Sequence, residues 1–231
     1  MTVDVVLFTI RAGDLAVLLI RRGQPPFKGH WALPGGFVEE SESLVHAAAR
    51  ELEEETGLVQ PLLDQLGAFG DPGRDPRGHT VSVAFYAFVV APMRPVAADD
   101  AADAQWVSVA RLGRSRVAFD HDQIIALAVE RLREQLNDAQ AHARLDLVPP
   151  RFTLSELQHV HEAVLGHQLD KRNFRAKLLQ RNFVEPVAAA QRTGRHRPAQ
   201  LYRWTEAAAP PAIKQPHRRS RSKKSPHNGK R

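Results

Sequence analysis

At 231 residues with 43% hydrophobic content, the chain is long enough for one large or two small domains with a real core. It has no cysteine, which excludes a disulfide framework and thiolate chemistry. No apolar run approaches membrane-spanning length and Met1-Thr2-Val3-Asp4 lacks the basic start of a secretory signal, so no membrane partner and a cytoplasmic location are expected. The formal net charge of +6 hides an asymmetry: residues 1–150 hold 14 Lys/Arg against 21 Asp/Glu, and residues 151–231 hold 18 against 5. An acidic front and a basic back predict two modules with different partners, the basic one meeting nucleic acid.

Asp4 to Ile10 reads as a buried strand, Ala12-Gly13-Asp14 as a turn and Leu15 to Ile20 as a second strand, together a hairpin. Arg21 and Arg22 leave on its polar end. Pro25 to His30 is loop, and Trp31-Ala32-Leu33-Pro34 leads into a turn at Gly35-Gly36, with Trp31 assigned to packing. Then comes a fixed spacing: Gly36, five residues, Glu42, seven residues, Arg50-Glu51, an aliphatic, any residue, Glu54-Glu55, any residue, Gly57, an aliphatic. Ser41 or Ser43 caps a helix from about Leu44. Leu44, Ala48 and Leu52 form its apolar stripe, and Gly57 ends it. Glu51 lies three and four residues before Glu54 and Glu55, so the three share a face. Crowded carboxylates raise one another's pKa unless a cation neutralises them, and hard divalent cations take such oxygen ligands together with substrate phosphates.

Leu62 to Phe69 reads as a strand, Gly70 to His79 as a Pro/Gly-rich loop and Val81 to Val90 as the best strand of the chain. Arg94 to Gln105 is polar, Trp106 to Val109 a short strand, and Phe119 to Gln135 has helical periodicity. Arg74 and Arg77 in the polar loop are candidates for gripping phosphates. Asp99 and Asp100 lie in the polar run from Arg94.

Pro149-Pro150 opens the second module. Thr153-Leu154-Ser155-Glu156 is a capping box, and Leu157, Val160, His161, Val164 and Leu165 give one helical face. Asp170 caps a second helix, Lys171 to about Arg181, and strands at Val184 to Ala190 and Gln200 to Trp204 flank a basic turn. Helix, turn, basic helix and hairpin is the order of a winged helix-turn-helix. Lys171, Arg172, Arg175 and Lys177, with Arg195 and Arg197 at the hairpin tip, are the expected DNA contacts. From Ala207 the chain turns Ala/Pro-rich and then basic, and is expected to be a disordered tail.

The Gly36-to-Leu58 spacing resembles the Nudix signature with no position missing. Residues 1 to about 205 resemble the Nudix-related transcriptional regulators of NAD metabolism, through Phe152-Thr153-Leu154-Ser155-Glu156-Leu157, Leu169 to Arg175, Arg197 to Tyr202 and Phe119-Asp120-His121-Asp122. The resemblance implies an α/β fold: a Nudix α/β/α sandwich with a mixed sheet over residues 1–146, a winged helix-turn-helix over 147–206 and the tail over 207–231. It implies a Mg2+ site, or one for Mn2+, at Gly36, Glu51, Glu54 and Glu55. It implies a catalytic set of Glu54, Glu51, Arg50 and Glu42, with Arg50 and Glu42 orienting the helix and loop. It also implies an extra carboxylate at Asp99 or Asp100. It implies ADP-ribose or a related nucleotide, hydrolysed to AMP and ribose 5-phosphate, and a homodimer on a double-stranded operator. Three readings stand: a hydrolase carrying a DNA-binding module; a repressor whose Nudix domain chiefly senses ligand, compatible with the first; and a house-cleaning Nudix enzyme whose basic C-terminus only binds RNA or acidic surfaces loosely.

Overall fold

The computed structural model describes residues 1–59, 62–90, 101–113, 117–137, 147–192 and 199–205. β1 (Thr2–Arg11) and β2 (Asp14–Arg22) form the expected hairpin, with Ala12 and Gly13 both at positive φ in the turn. β3 (Trp31–Ala32), β4 (Gly35–Phe37), β5 (Asp64–Phe69), β6 (Ser82–Phe88) and β7 (Ala101–Ser108) complete one mixed sheet. Its central pair, β1 and β6, is parallel and runs in register from Thr2–Ser82 to Phe8–Phe88. The other pairings are antiparallel.

Strand alternation sends successive side chains to opposite faces. Val3, Val5 and Leu7 of β1, with Val83, Phe85 and Ala87 of β6, pack on α1 (Leu44–Thr56) through Ala47, Ala48 and Leu52. Val6, Phe8, Val17, Leu19, Ala84 and Tyr86 pack on α2 (His121–Asn137) through Ile124, Ile125, Ala128 and Leu132. Each fully buried large apolar side chain contributes about 1.5–3 kcal/mol. The helix boundaries follow from caps. Ser43 Oγ accepts from the His46 N–H, and Gly57, at φ 68°, donates to the Glu53 carbonyl.

Two expectations are corrected. Gly35-Gly36 is not a turn but part of β4, pairing Val3 with Gly36 and Asp4 with Gly35. β7 begins at Ala101, well before Trp106, because β2 offers it a partner as far as Arg22. Pairing with a long neighbour overrides the low strand propensity of the Ala/Asp run.

α3 (Leu154–Leu165), α4 (Lys171–Gln180) and the hairpin β8 (Val184–Arg192) and β9 (Ala199–Trp204) make the second module. Thr153 and Glu156 form both halves of the capping box, and Asp170 Oδ1 caps α4 through the Asn173 N–H. Phe152, Leu154, Leu157, Leu178 and Val184 are its core, with Phe152 and Tyr202 exchanging two backbone hydrogen bonds. The two modules are packed together. Val164 of α3 belongs to the same cluster as Leu132 and Leu136 of α2, and Arg133 Nε donates to the Val164 carbonyl at 3.0 Å. Among the described residues no helix is long and apolar enough to cross a membrane.

Candidate functional site

Arg50, on the exposed side of α1, is the centre of the carboxylate cluster. Its Nη1 donates to Glu51 Oε1 at 2.9 Å and to Glu54 Oε2 at 3.0 Å. Its Nε and Nη2 grip Glu42 at 3.2 and 2.7 Å, and Nη2 also reaches the Phe37 carbonyl. One guanidinium thus ties β4 and the following loop to α1, and its hydrogen bonds hold Glu42 below the usual carboxylate range. Glu55 Oε2 accepts from the Gly35 N–H at 2.8 Å, while burial pushes this carboxyl up to about 8. Burial raises Glu51 as well, against the pull of Arg50. Glu51 and Glu55 face a cleft of about 440 Å³, within the range of small-molecule sites.

Among the described residues no three His, Cys, Asp or Glu side chains converge as a ready-made metal site. The donors nonetheless fit a hard divalent cation. The Glu51, Glu54 and Glu55 carboxylates of α1 offer oxygen alone, and burial raises Glu51 and Glu55, a cost that a bound cation would offset.

The far wall is built where β1 meets the start of α2. The Leu33 N–H donates to His121 Nδ1 at 2.9 Å, which leaves Nε2 to carry the proton and donate to Asp4 Oδ1 at 3.3 Å. Ser82 Oγ donates to Asp4 Oδ2 at 2.5 Å. Burial lowers the His121 pKa, so the ring stays neutral. Arg74 lines the cleft but commits its fork to Asp120, at 2.8 and 2.6 Å, with its side chain only 5% exposed. Arg77 forks onto Asp75, which that pairing holds below the usual carboxylate range; its own side chain is 45% exposed. Asp99 and Asp100 lie outside the described residues.

On the second module, Phe174 and Leu178 of α4 pack inward. Lys171, Arg172 and Lys177 are exposed. Arg175 is half-buried, and its Nη2 donates to Ser155 Oγ of α3 at 3.1 Å, bracing the two helices. Asn173 and Gln180, which sequence reasoning did not single out, share the solvent side. Arg195, Arg197 and the tail lie outside the described residues.

Residues 1–128 match the NUDIX domain, and residues 144–204 match the NrtR DNA-binding winged helix domain. The chain is 37% identical over 206 residues to the ADPR responsive transcriptional repressor NtrR of Acinetobacter baylyi, covering 88% of this chain and 81% of that protein. The chain belongs to the NrtR family of Nudix proteins. The crystal structure of Shewanella oneidensis NrtR complexed with a 27mer DNA is similar over 90% of this chain and 95% of that one, with 35% identity and a TM-score of 0.71. The Nudix part is also 45% identical over 112 residues to the ADP-ribose pyrophosphatase of Methanocaldococcus jannaschii, covering 48% of this chain and 64% of that protein.

A Nudix module here stands beside a winged helix, and the chain keeps every residue of the Gly36-to-Leu58 spacing. The expected set of Gly36, Glu42, Arg50, Glu51, Glu54 and Glu55 is brought together on β4, the following loop and α1. What sequence reasoning did not assign to the site is the opposite wall: Asp4 and His121, with Ser82 and Asp120 bonded behind them, although Asp120 and His121 belong to the stretch that carries the resemblance. One signal was present, since Asp4 is an acid at a position of β1 that alternation turns toward the α2 core.

The two glycines separate site from scaffold. A Cβ on Gly36 would strike the Glu51 carboxylate, which a rotation of that side chain relieves. A Cβ on Gly35 would strike the Val3 carbonyl, which is backbone, at a φ of +156°. Gly36→Ala is therefore expected to displace Glu51 and lower activity at an almost unchanged melting temperature. Gly35→Ala is expected to destabilise by about 1–3 kcal/mol. Thermal melts of the two variants, read beside their activities, check the contrast; equal loss of stability would overturn it.

Proposed function

We propose that this chain is a Mg2+-dependent ADP-ribose pyrophosphatase joined to a DNA-binding winged helix, with ADP-ribose both substrate and signal. The observation that carries the catalytic reading is Arg50 spread across Glu42, Glu51 and Glu54 at the edge of a cleft that Glu51 and Glu55 line. Glu51, Glu54, Glu55 and the Gly36 carbonyl would hold Mg2+, or Mn2+ in its place. The cation would supply positive charge against a diphosphate and make water a better nucleophile. Arg50 and Glu42 keep the three acids in place, and Arg74 and Arg77 add positive charge to the cleft. Water added across the diphosphate yields AMP and ribose 5-phosphate. Lys171, Arg172 and Lys177, with Arg195 and Arg197, would meet the operator, Arg175 holding the recognition helix against α3. A homodimer would match a two-fold operator.

A second reading, repression with little turnover, is favoured by α2. Asp120, just before it, and His121, its first residue, close the cleft through Arg74–Asp120 and Asp4–His121, while Arg133 and Leu136 near its end hold α3. A ligand that moves the first turn of α2 would be felt in the winged helix. Incubation with ADP-ribose and Mg2+, followed by chromatography for AMP, tests the first reading. No turnover on any nucleotide sugar would leave the second, which predicts a DNA mobility shift that ADP-ribose alters.

A further inference from the structure

Four arginines line the cleft: Arg22, Arg50, Arg74 and Arg77. Three of them already hold carboxylates, Arg50 on Glu42, Glu51 and Glu54, Arg74 on Asp120 and Arg77 on Asp75. Arg22 differs. Among the described residues it makes no ion pair, and Asp4, Glu55 and Asp75 act on it only at longer range. Its Nε donates to the Pro26 carbonyl at 2.8 Å, and its guanidinium carbon lies 4.8 Å from the centre of the Phe119 ring.

That ring is itself held with care. Phe119 has φ 55°, and Phe27, whose ring meets it edge-on at 4.9 Å, has φ 61°. Bulky aromatic residues avoid this left-handed region, and such strain gathers where a site requires it. His121 stacks obliquely on the ring at 5.2 Å, and the Arg77 guanidinium carbon lies 5.8 Å from its centre. Arg22 is thus a half-buried cation at the end of β2, anchored at its root by backbone hydrogen bonds to His30 and Gly29. Its flat face is set by an aromatic ring. Burial, and then the nearby charge of Arg77, disfavour its charged form, and the opposite charge of an anion in the cleft would offset that cost.

We infer that Arg22, held by Phe119, is the residue that grips the diphosphate of the bound nucleotide. Arg74 and Arg77, whose forks are spent on Asp120 and Asp75, shape the loop around it. A fork of five N–H donors fits two adjacent phosphate groups, and stacking on Phe119 fixes its plane before the ligand arrives. The inference rests on the nucleotide-binding reading proposed above.

Calorimetric titration with ADP and with adenosine, in Mg2+, separates the diphosphate contact from contacts to the nucleoside. Arg22→Ala is expected to weaken ADP binding about 10- to 100-fold and leave adenosine binding unchanged. With ADP-ribose as substrate it should raise KM and change kcat little, as a lost contact made equally before and during reaction does. Arg22→Lys should recover only part of the loss, because an ammonium is a point charge without the fork. Phe119→Leu, which keeps bulk and removes the π face, should show a smaller loss of the same kind. Far-UV circular dichroism and thermal melts confirm folding, and Arg22→Lys decides the matter if Arg22→Ala does not fold. Wild-type ADP affinity and KM in both Arg22 variants would overturn the inference and leave the function standing. Failure of the wild-type protein to bind ADP or ADP-ribose would instead overturn the nucleotide reading itself, and this inference with it.

Discussion

Glu54→Gln is expected to lower kcat for ADP-ribose by about 10²- to 10⁴-fold while the protein stays folded. Glu54 is 48% exposed and meets Arg50 one turn earlier on the helix, at 3.0 Å. Such an exposed pair contributes about 0.2–1 kcal/mol at most, so stability should barely change. Glutamine keeps the size and one acceptor oxygen but removes the charge a divalent cation requires. Arg50→Lys should act in the same direction by another route, because a single ammonium cannot reach Glu42, Glu51, Glu54 and the Phe37 carbonyl together. Chromatography of AMP, beside a thermal melt, reads both. Wild-type turnover in Glu54→Gln would remove this carboxylate from the chemistry.

Replacing Lys171 and Arg172 together by Ala is expected to weaken operator binding about tenfold per cation. It should also reduce the slope of log affinity against log salt by about 2. Both side chains are exposed on the first turn of α4. The helix itself should survive, because Asp170 still caps it and Phe174 and Leu178 still anchor it. Arg175→Ala is a different case. Its guanidinium reaches Ser155, so its loss should loosen α4 on α3 rather than change the salt slope alone. Mobility shifts at several salt concentrations separate the two effects, and an unchanged slope in the double variant would take α4 off the DNA backbone.

Local signals carried most of the helices. Ser43 and Gly57 bound α1, the Thr153–Glu156 box opens α3 and Asp170 opens α4, because a cap is read from neighbours a few residues apart. The hairpin of β1 and β2 was legible for the same reason. Sequence reasoning marked Arg74 and Arg77 by their loop and charge. It had no means of knowing that Asp120, 46 residues on, takes the fork of Arg74. Nor did it see that Gly35-Gly36 is a strand, since its partner is β1 at the other side of the loop.

By itself, then, the sequence determined the two modules, the carboxylate helix with its caps, and the charge split between the acidic Nudix module and the basic winged helix. These rest on spacing, composition and short-range hydrogen bonding. Tertiary structure alone decided which arginine in the cleft has no carboxylate partner among the described residues, that Asp4 and His121 meet across 117 positions, and that α2 joins the two modules. A side chain's partner is set by which strands and helices pack together, and that packing answers to the whole core rather than to any one stretch.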